Sequence, residues 1–218
     1  TLCIREGYFS SISSLLSVIL GLDLCRMEVW TLAENKRYTF SNYLAWPENE
    51  RIELIDGIPV KIAPPSRAHQ AASLSLAAQL YYFLDGKPCK VYAAPFAVRL
   101  FEKATDAPED VDTVVEPDIS VICDPDKLDV HGCKGTPDLV IEILSPSTQR
   151  HDRVTKFNLY QRAGVKEYWM VNIEDKTIQV FVLAEGILRP IESYGKDELA
   201  KSRVLAGCEI NLTKVFTK

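Results

Sequence analysis

Apolar positions along the chain recur with two different periods, and turn residues separate the runs. Residues 39–46 have the spacing of a short helix, with Ser41 as cap and Pro47 as stop. In the RIELIDGIPVKIAP segment that follows, Asp56-Gly57 separates two β-type runs, which predicts a hairpin. Pro64, Pro65 and Ser66 end its second strand, and residues 69–84 then place Leu76, Leu80 and Phe83 at helical spacing. Residues 90–100 and 114–122 read as strands, with an acidic loop at 102–112 between them and a second loop at 123–136. DLVIEIL, residues 138–144, is apolar on both faces except at Asp138 and Glu142, the pattern of a strand in the middle of a sheet. A turn at 145–148 leads into a helix at 149–163, closed by Gly164. Residues 167–172 are a buried strand, Asp175-Lys176 turns the chain into another at 177–183, and the C-terminal segment reads as an edge strand and a short terminal stretch. Helix, hairpin, helix, three strands, helix and two strands make an α/β domain with a mixed sheet.

The chain has 218 residues, enough for one such domain with a sizeable core. Residues 38–218 read as one continuous domain, and residues 1–37 as an N-terminal extension. Residues 8–25 are apolar and Ser-rich, but Ser and Asp23 interrupt them, so they make a poor membrane span, and no membrane partner is expected. Met27 opens a more usual beginning. The net charge of -5 argues against a protein that coats nucleic acid nonspecifically. It leaves room for a nuclease, because clustered carboxylates repel phosphate far less once a divalent metal is bound. None of the six cysteines sits in a C-x-x-C pair, so a structural zinc site is not expected. They read as free thiols of a cytoplasmic protein.

Three residues carry candidate chemistry. Glu142 lies in a run of Leu, Val and Ile, where an ionised carboxylate must be paired, protonated or metal-bound. A base on the following helix would serve as well as a metal. Asp118 follows Pro117 in a second apolar strand; it is either a turn aspartate or a partner of Glu142 on a neighbouring strand. Two such carboxylates suit Mg²⁺ or Mn²⁺. Asp152, Lys156 and Tyr160 are spaced i, i+4, i+8 on the helix after Glu142. Lys156 either reaches back to Glu142 or forms an exposed pair with Asp152.

The run EPDISVICDPD and the longer GTPDLVIEILSPSTQRHDRVTKFNLYQRAGVKEYWMVN resemble the Uma-type restriction-endonuclease family of bacterial proteins, within the PD-(D/E)XK nuclease superfamily. YTFSNYLAW, RIELIDGIPVKIAPPSRAHQ and APFAVRL extend the likeness over residues 38–216. The resemblance implies a restriction-endonuclease-like mixed β-sheet core flanked by helices, with an N-terminal β-hairpin. It puts the PD half-motif on Pro117-Asp118 and the acid of the second half-motif on Glu142. The lysine expected two residues later is Leu144 here, and families of this type supply the lysine from the next helix, at Lys156. Glu53 is implied as a further ligand; a strand glutamate paired with Arg51 is the other reading. His69 opens a helix and either contacts phosphate or is exposed. Asp138, only three residues before Glu142 on the same strand, reads as structural.

The mechanism implied is metal-assisted hydrolysis of DNA, with Asp118, Glu142 and the Ile143 carbonyl holding Mg²⁺ or Mn²⁺ and Lys156 acting on water or the transition state. The rival is a nuclease-fold binding or dimerisation module without turnover; RNA or a nucleotide is a third possibility as substrate. A homodimer is expected, since two-fold dimers are the commonest soluble oligomers. Light scattering should return about twice the 24.5 kDa of one chain; the monomer mass at micromolar concentration counts against it.

Overall fold

A computed structural model describes residues 36–47, 50–144 and 151–216, and the side chains of residues 151–153 are not among what it describes. Residues 1–35 of the expected extension, the turn at 145–148 and the first two residues of the helix at 149–163 therefore lie outside the described residues. The architecture below is that of residues 37–216.

α1 (Phe40–Tyr43) is shorter than the helix expected at 39–46, and its cap is Thr39 rather than Ser41. The Thr39 N–H donates to Asn42 Oδ1 at 3.0 Å, half of a capping box between those two residues. β1 (Ile52–Ile55) and β2 (Ile58–Lys61) form the expected hairpin. Asp56 and Gly57 both have positive φ, 48° and 77°, as a two-residue turn matched to the strand twist requires. α2 (Arg67–Leu84) starts on Ser66, whose Oγ accepts from the His69 N–H.

Both strands expected next are broken by a proline. β3 (Lys90–Ala93) ends before Pro95, and the chain resumes as β4 (Val98–Arg99) in a different sheet. β5 (Val114–Val115) and β6 (Ile119–Ile122) flank Pro117 and also lie in different sheets. Proline has no N–H to give to a ladder, so each of these two places is where a strand can end. The expected loop at 123–136 contains a small hairpin, β7 (Leu128–Asp129) and β8 (Gly132–Lys134). Gly132 is required there, since a Cβ would sit 2.1 Å from the Ala97 carbonyl oxygen.

β9 (Leu139–Leu144) is buried along all six residues. A π-helical segment (His151–Lys156) leads into α3 (Phe157–Ala163), which ends on Gly164 at φ 83°. β10 (Glu167–Asn172), β11 (Thr177–Ala184) and β12 (Ile187–Gly195) follow as a meander, then β13 (Leu199–Lys201), β14 (Glu209–Asn211) and α4 (Leu212–Val215). One six-stranded sheet runs β2-β1-β5-β4-β8-β7, the other β12-β11-β10-β9-β6-β3, and β13 pairs with β14. β9 lies between parallel β10 and antiparallel β6, the central place its apolar pattern predicts. Its alternate residues enter two cores. Leu139, Ile141 and Ile143 pack with Leu76 and Leu80 of α2, whereas Val140 and Leu144 pack with Leu159 and Tyr160 of α3. The mixed α/β class read from the sequence is the class observed. Among the described residues, no helix is long and apolar enough to cross a membrane.

The thiol expectation needs one correction. Cys89 and Cys123 form a disulfide. Lys90 pairs with Ile122 across β3 and β6, so the next step of that register sets the two cysteines side by side. Cys133 and Cys208 are free and buried, while Cys3 and Cys25 lie outside the described residues. Burial pushes the Cys133 thiol up to about 12 and the Cys208 thiol to about 11, so little of either is thiolate at neutral pH. Peptide mapping after iodoacetamide treatment of the native protein at pH 8 should therefore find both unmodified, and denaturant should expose both. Rapid native labelling of Cys133 would contradict its buried place.

Candidate active site

The register of β6 against β9 brings the first two candidates together. Ile119 pairs with Ile141, so one step further Asp118 stands opposite Glu142 with its side chain on the same face. Asp118 Oδ2 accepts the Ile143 N–H at 2.7 Å and a hydrogen bond from His69 Nε2 at 3.1 Å. Both bonds fall on one carboxylate oxygen, Oδ2. Pro117 shapes the same spot. The Asp118 carbonyl accepts from the Ala94 N–H, so the Asp118 main chain faces β3 and its neighbours face β9. A residue's N–H and C=O point to the same side of a strand. The Ile143 N–H points to the Asp118 carboxylate, so the Ile143 carbonyl is turned to the same side of β9.

Glu142, 3% exposed, receives Lys156 Nζ at 3.0 Å and the Tyr160 hydroxyl at 2.6 Å, both on Oε1. Lys156 Nζ also lies 2.8 Å from Glu53 Oε1. That carboxylate is 2% exposed and accepts the Glu116 N–H at 2.8 Å. Lys156 thus joins Glu53 of β1 in one sheet to Glu142 of β9 in the other. Burial first, then the negative charges of Glu142 and Glu53, push the Tyr160 hydroxyl far above its ordinary range, so it stays a donor.

Several expectations change. Lys156 is 6% exposed, so it is no surface residue. Its expected shared face with Asp152 assumed α-helical spacing, but residues 151–156 form a π-helix with i→i+5 bonds, and the Asp152 side chain lies outside the described residues. The four-residue spacing holds for Lys156 and Tyr160, which meet on Glu142. Arg51 pairs with Glu116 rather than with Glu53, at 2.8 Å from Nη2 to Oε2. Glu53 and Arg51 are two residues apart on the hairpin, and Glu53 turns to the buried lysine. His69, at the first turn of α2, is 9% exposed rather than an open helix-start histidine. Asp138 binds the Cys123 N–H and Lys166, away from the cluster.

The sequence reading missed Glu116 and Tyr43. Glu116 holds Arg51 with one oxygen and the Tyr43 hydroxyl, 3.2 Å away, with the other. Burial, then Glu116 beside it, raises the Tyr43 hydroxyl well above its ordinary range. The acid directly before Pro117 was the available signal; its partners, 65 and 73 residues away, left none.

Among the described residues, Glu53, Glu116, Asp118 and Glu142 face the cations Lys156 and Arg51. No group of three His, Cys, Asp or Glu residues closes on one point among the described residues. The donors on offer are hard oxygens: Asp118, Glu142 and the Ile143 carbonyl. A few protein oxygens with water completing the shell is how Mg²⁺ is ordinarily held, so the donor set fits that ion.

Comparison with known proteins adds the following. The model of the Uma2 family, described as "Putative restriction endonuclease", matches residues 40–213, a span that holds every residue of this site. An uncharacterized protein from Synechocystis sp. is 29% identical over 142 residues, which cover 64% of this chain and 70% of that protein. The fold is similar to a crystal structure from Anabaena variabilis, described as a putative nuclease belonging to DUF820. That likeness has a TM-score of 0.63 and 18% identity, and it covers 82% of this chain and 97% of the other.

Two substitutions should register the cost of this buried network. Lys156→Met should lose about 3–5 kcal/mol of stability, because it strands two buried carboxylates. Tyr160→Phe should lose about 1.5–3 kcal/mol at pH 7, the range for a hydrogen bond to a charged group. Since the folded-state Tyr160 value is raised, its contribution is whole below about pH 10, the ordinary tyrosine range, and is lost as pH climbs beyond it. Urea melts of wild type and Tyr160→Phe should therefore converge in strong alkali. A gap that widens there would mean the hydroxyl is not the donor.

Proposed function

The chain belongs to the Uma2 family, and from that premise we propose that it is a metal-dependent endonuclease that hydrolyses DNA phosphodiester bonds at Asp118, Glu142 and Lys156. The observation that carries the reading is the register that sets Asp118 opposite Glu142 while Lys156 lies on Glu142. Asp118, Glu142 and the Ile143 carbonyl would hold Mg²⁺ or Mn²⁺, with Glu53 beside them. A metal bound there would polarise the scissile phosphate and lower the pKa of an attacking water. His69 and the Ile143 N–H fix the Asp118 carboxylate, and Tyr160 fixes Glu142. Lys156 places a positive charge where the phosphate becomes more negative in the transition state. A homodimer belongs to the proposal, as two copies would cut two strands.

Single-turnover cleavage of plasmid, single-stranded and branched DNA with Mg²⁺ or Mn²⁺ tests this. Asp118→Asn should abolish both cleavage and the Mn²⁺ site seen by calorimetry. Lys156→Gln should slow cleavage roughly 10²- to 10³-fold and leave the Mn²⁺ site in place. Full activity in Asp118→Asn would sink the assignment. A wild-type protein that binds DNA but cuts no substrate would favour the module without turnover, for which Leu144 in the place of the motif lysine already speaks.

A further inference from the structure

A cavity of about 620 Å³ opens beside Asp118 and His69. Its volume is in the range of sites that enclose a small ligand. We infer that it receives one unpaired nucleobase next to the scissile phosphate, so that the protein prefers DNA with unstacked nucleotides to fully paired duplex. The inference rests on the nuclease reading of Asp118 for its position, and on the cavity walls for its ligand.

The walls have the chemistry of a base pocket. Tyr43, Trp46 and Pro47 line one side. The Trp46 ring meets Tyr43 at 5.6 Å and 57° and Tyr38 at 5.8 Å and 65°. Both are tilted or edge contacts, so neither neighbour stacks flat on the indole. An aromatic face of this kind stacks on any base. Arg51 and Glu116 also line the cavity and are held together, so a donor fork and an acceptor carboxylate sit side by side. The edge of a base carries both donors and acceptors and can meet such a pair. His69, which holds Asp118, also lines the cavity.

The charge balance decides between base and phosphate. Glu116 and Asp118 are both on the wall, and Arg51 is already matched by Glu116. An anion gains nothing in such a pocket, whereas a neutral base with a hydrogen-bonding edge does. Paired duplex cannot fill it, because its bases have their edges and faces engaged. Extruding a base costs least where it is already unpaired.

The test measures binding without turnover, with Ca²⁺ in place of Mg²⁺. Fluorescence anisotropy compares a single-stranded oligonucleotide with the same sequence in duplex, and with copies that carry one abasic site at each position. The single strand should bind at least about tenfold tighter than the duplex. One abasic position should lose about tenfold, in line with deletion of a single stacked base. Trp46→Leu should show the same loss for the intact strand and none further for the abasic one. Trp46→Phe, which keeps a ring, should stay within about twofold of wild type. Equal affinity for strand and duplex overturns the inference. So does an abasic strand that binds wild type as tightly as the intact one, a comparison that needs no variant to fold, and so does failure to bind either form. The two readings separate cleanly. Base-dependent binding with no cleavage under Mg²⁺ or Mn²⁺ sinks the nuclease and leaves the pocket. Cleavage with base-independent binding sinks the pocket alone.

Discussion

The ammonium of Lys156 lies between Glu53 and Glu142, and these two carboxylates come from different sheets. Removing an ion from water costs several kcal/mol, so a buried charge is tolerable only where its partners are held in good geometry. Here the partners are held by backbone. The Glu116 N–H fixes Glu53, and Glu142 lies on a six-residue strand buried on both sides. Glu116 is itself on the segment that carries the chain from β5 in one sheet to β6 in the other. The positions of both sheets and of the helix that follows β9 are thus tied to one charged group.

What could be read from the sequence was the local pattern. An acid inside LVIEIL stands out because period-two alternation leaves no solvent face for it, and Asp118 stands out for the same reason in a shorter run. Lys156 was within reach because a helix was expected to start just beyond Glu142. The missing parts are those set by distant residues. Nothing near Arg51 indicates that it will choose Glu116, and nothing near His69 indicates Asp118. The sheet changes at Pro95 and Pro117 were misread as continuous strands because β propensity runs straight through both prolines. Only the missing N–H argues otherwise. The Cys89–Cys123 bond depends on the β3–β6 register across 34 residues, which cysteine spacing does not encode.

The proposed place of the lysine on the helix rather than on the strand has a physical counterpart in the core. A side chain two residues beyond Glu142 shares its face. In this chain that residue is Leu144, 3% exposed, and it packs in the cluster with Leu159 and Tyr160. A lysine there would have to carry its charge among those apolar groups. Lys156 instead enters from the end of the π-helical segment, directly before α3, and brings Tyr160 with it one turn later. The cation and the hydroxyl then satisfy one carboxylate oxygen together, which a strand lysine by itself would not do. π-Helical turns recur at functional sites, where the extra residue redirects a side chain, and here the redirected residue is the lysine.

Pro117 links this geometry to the proposed chemistry. It removes one ladder donor, and the chain has there a place to leave one sheet for the other. Directly after it, the Asp118 carboxylate accepts the Ile143 N–H, a donor that a continued strand ladder would have used. Carboxylates gathered out of water are costly. In the proposed reading, a divalent cation beside Asp118 and Glu142 would offset part of that cost. The carboxylates whose gathering is costly are therefore the ones that the proposal assigns to the metal.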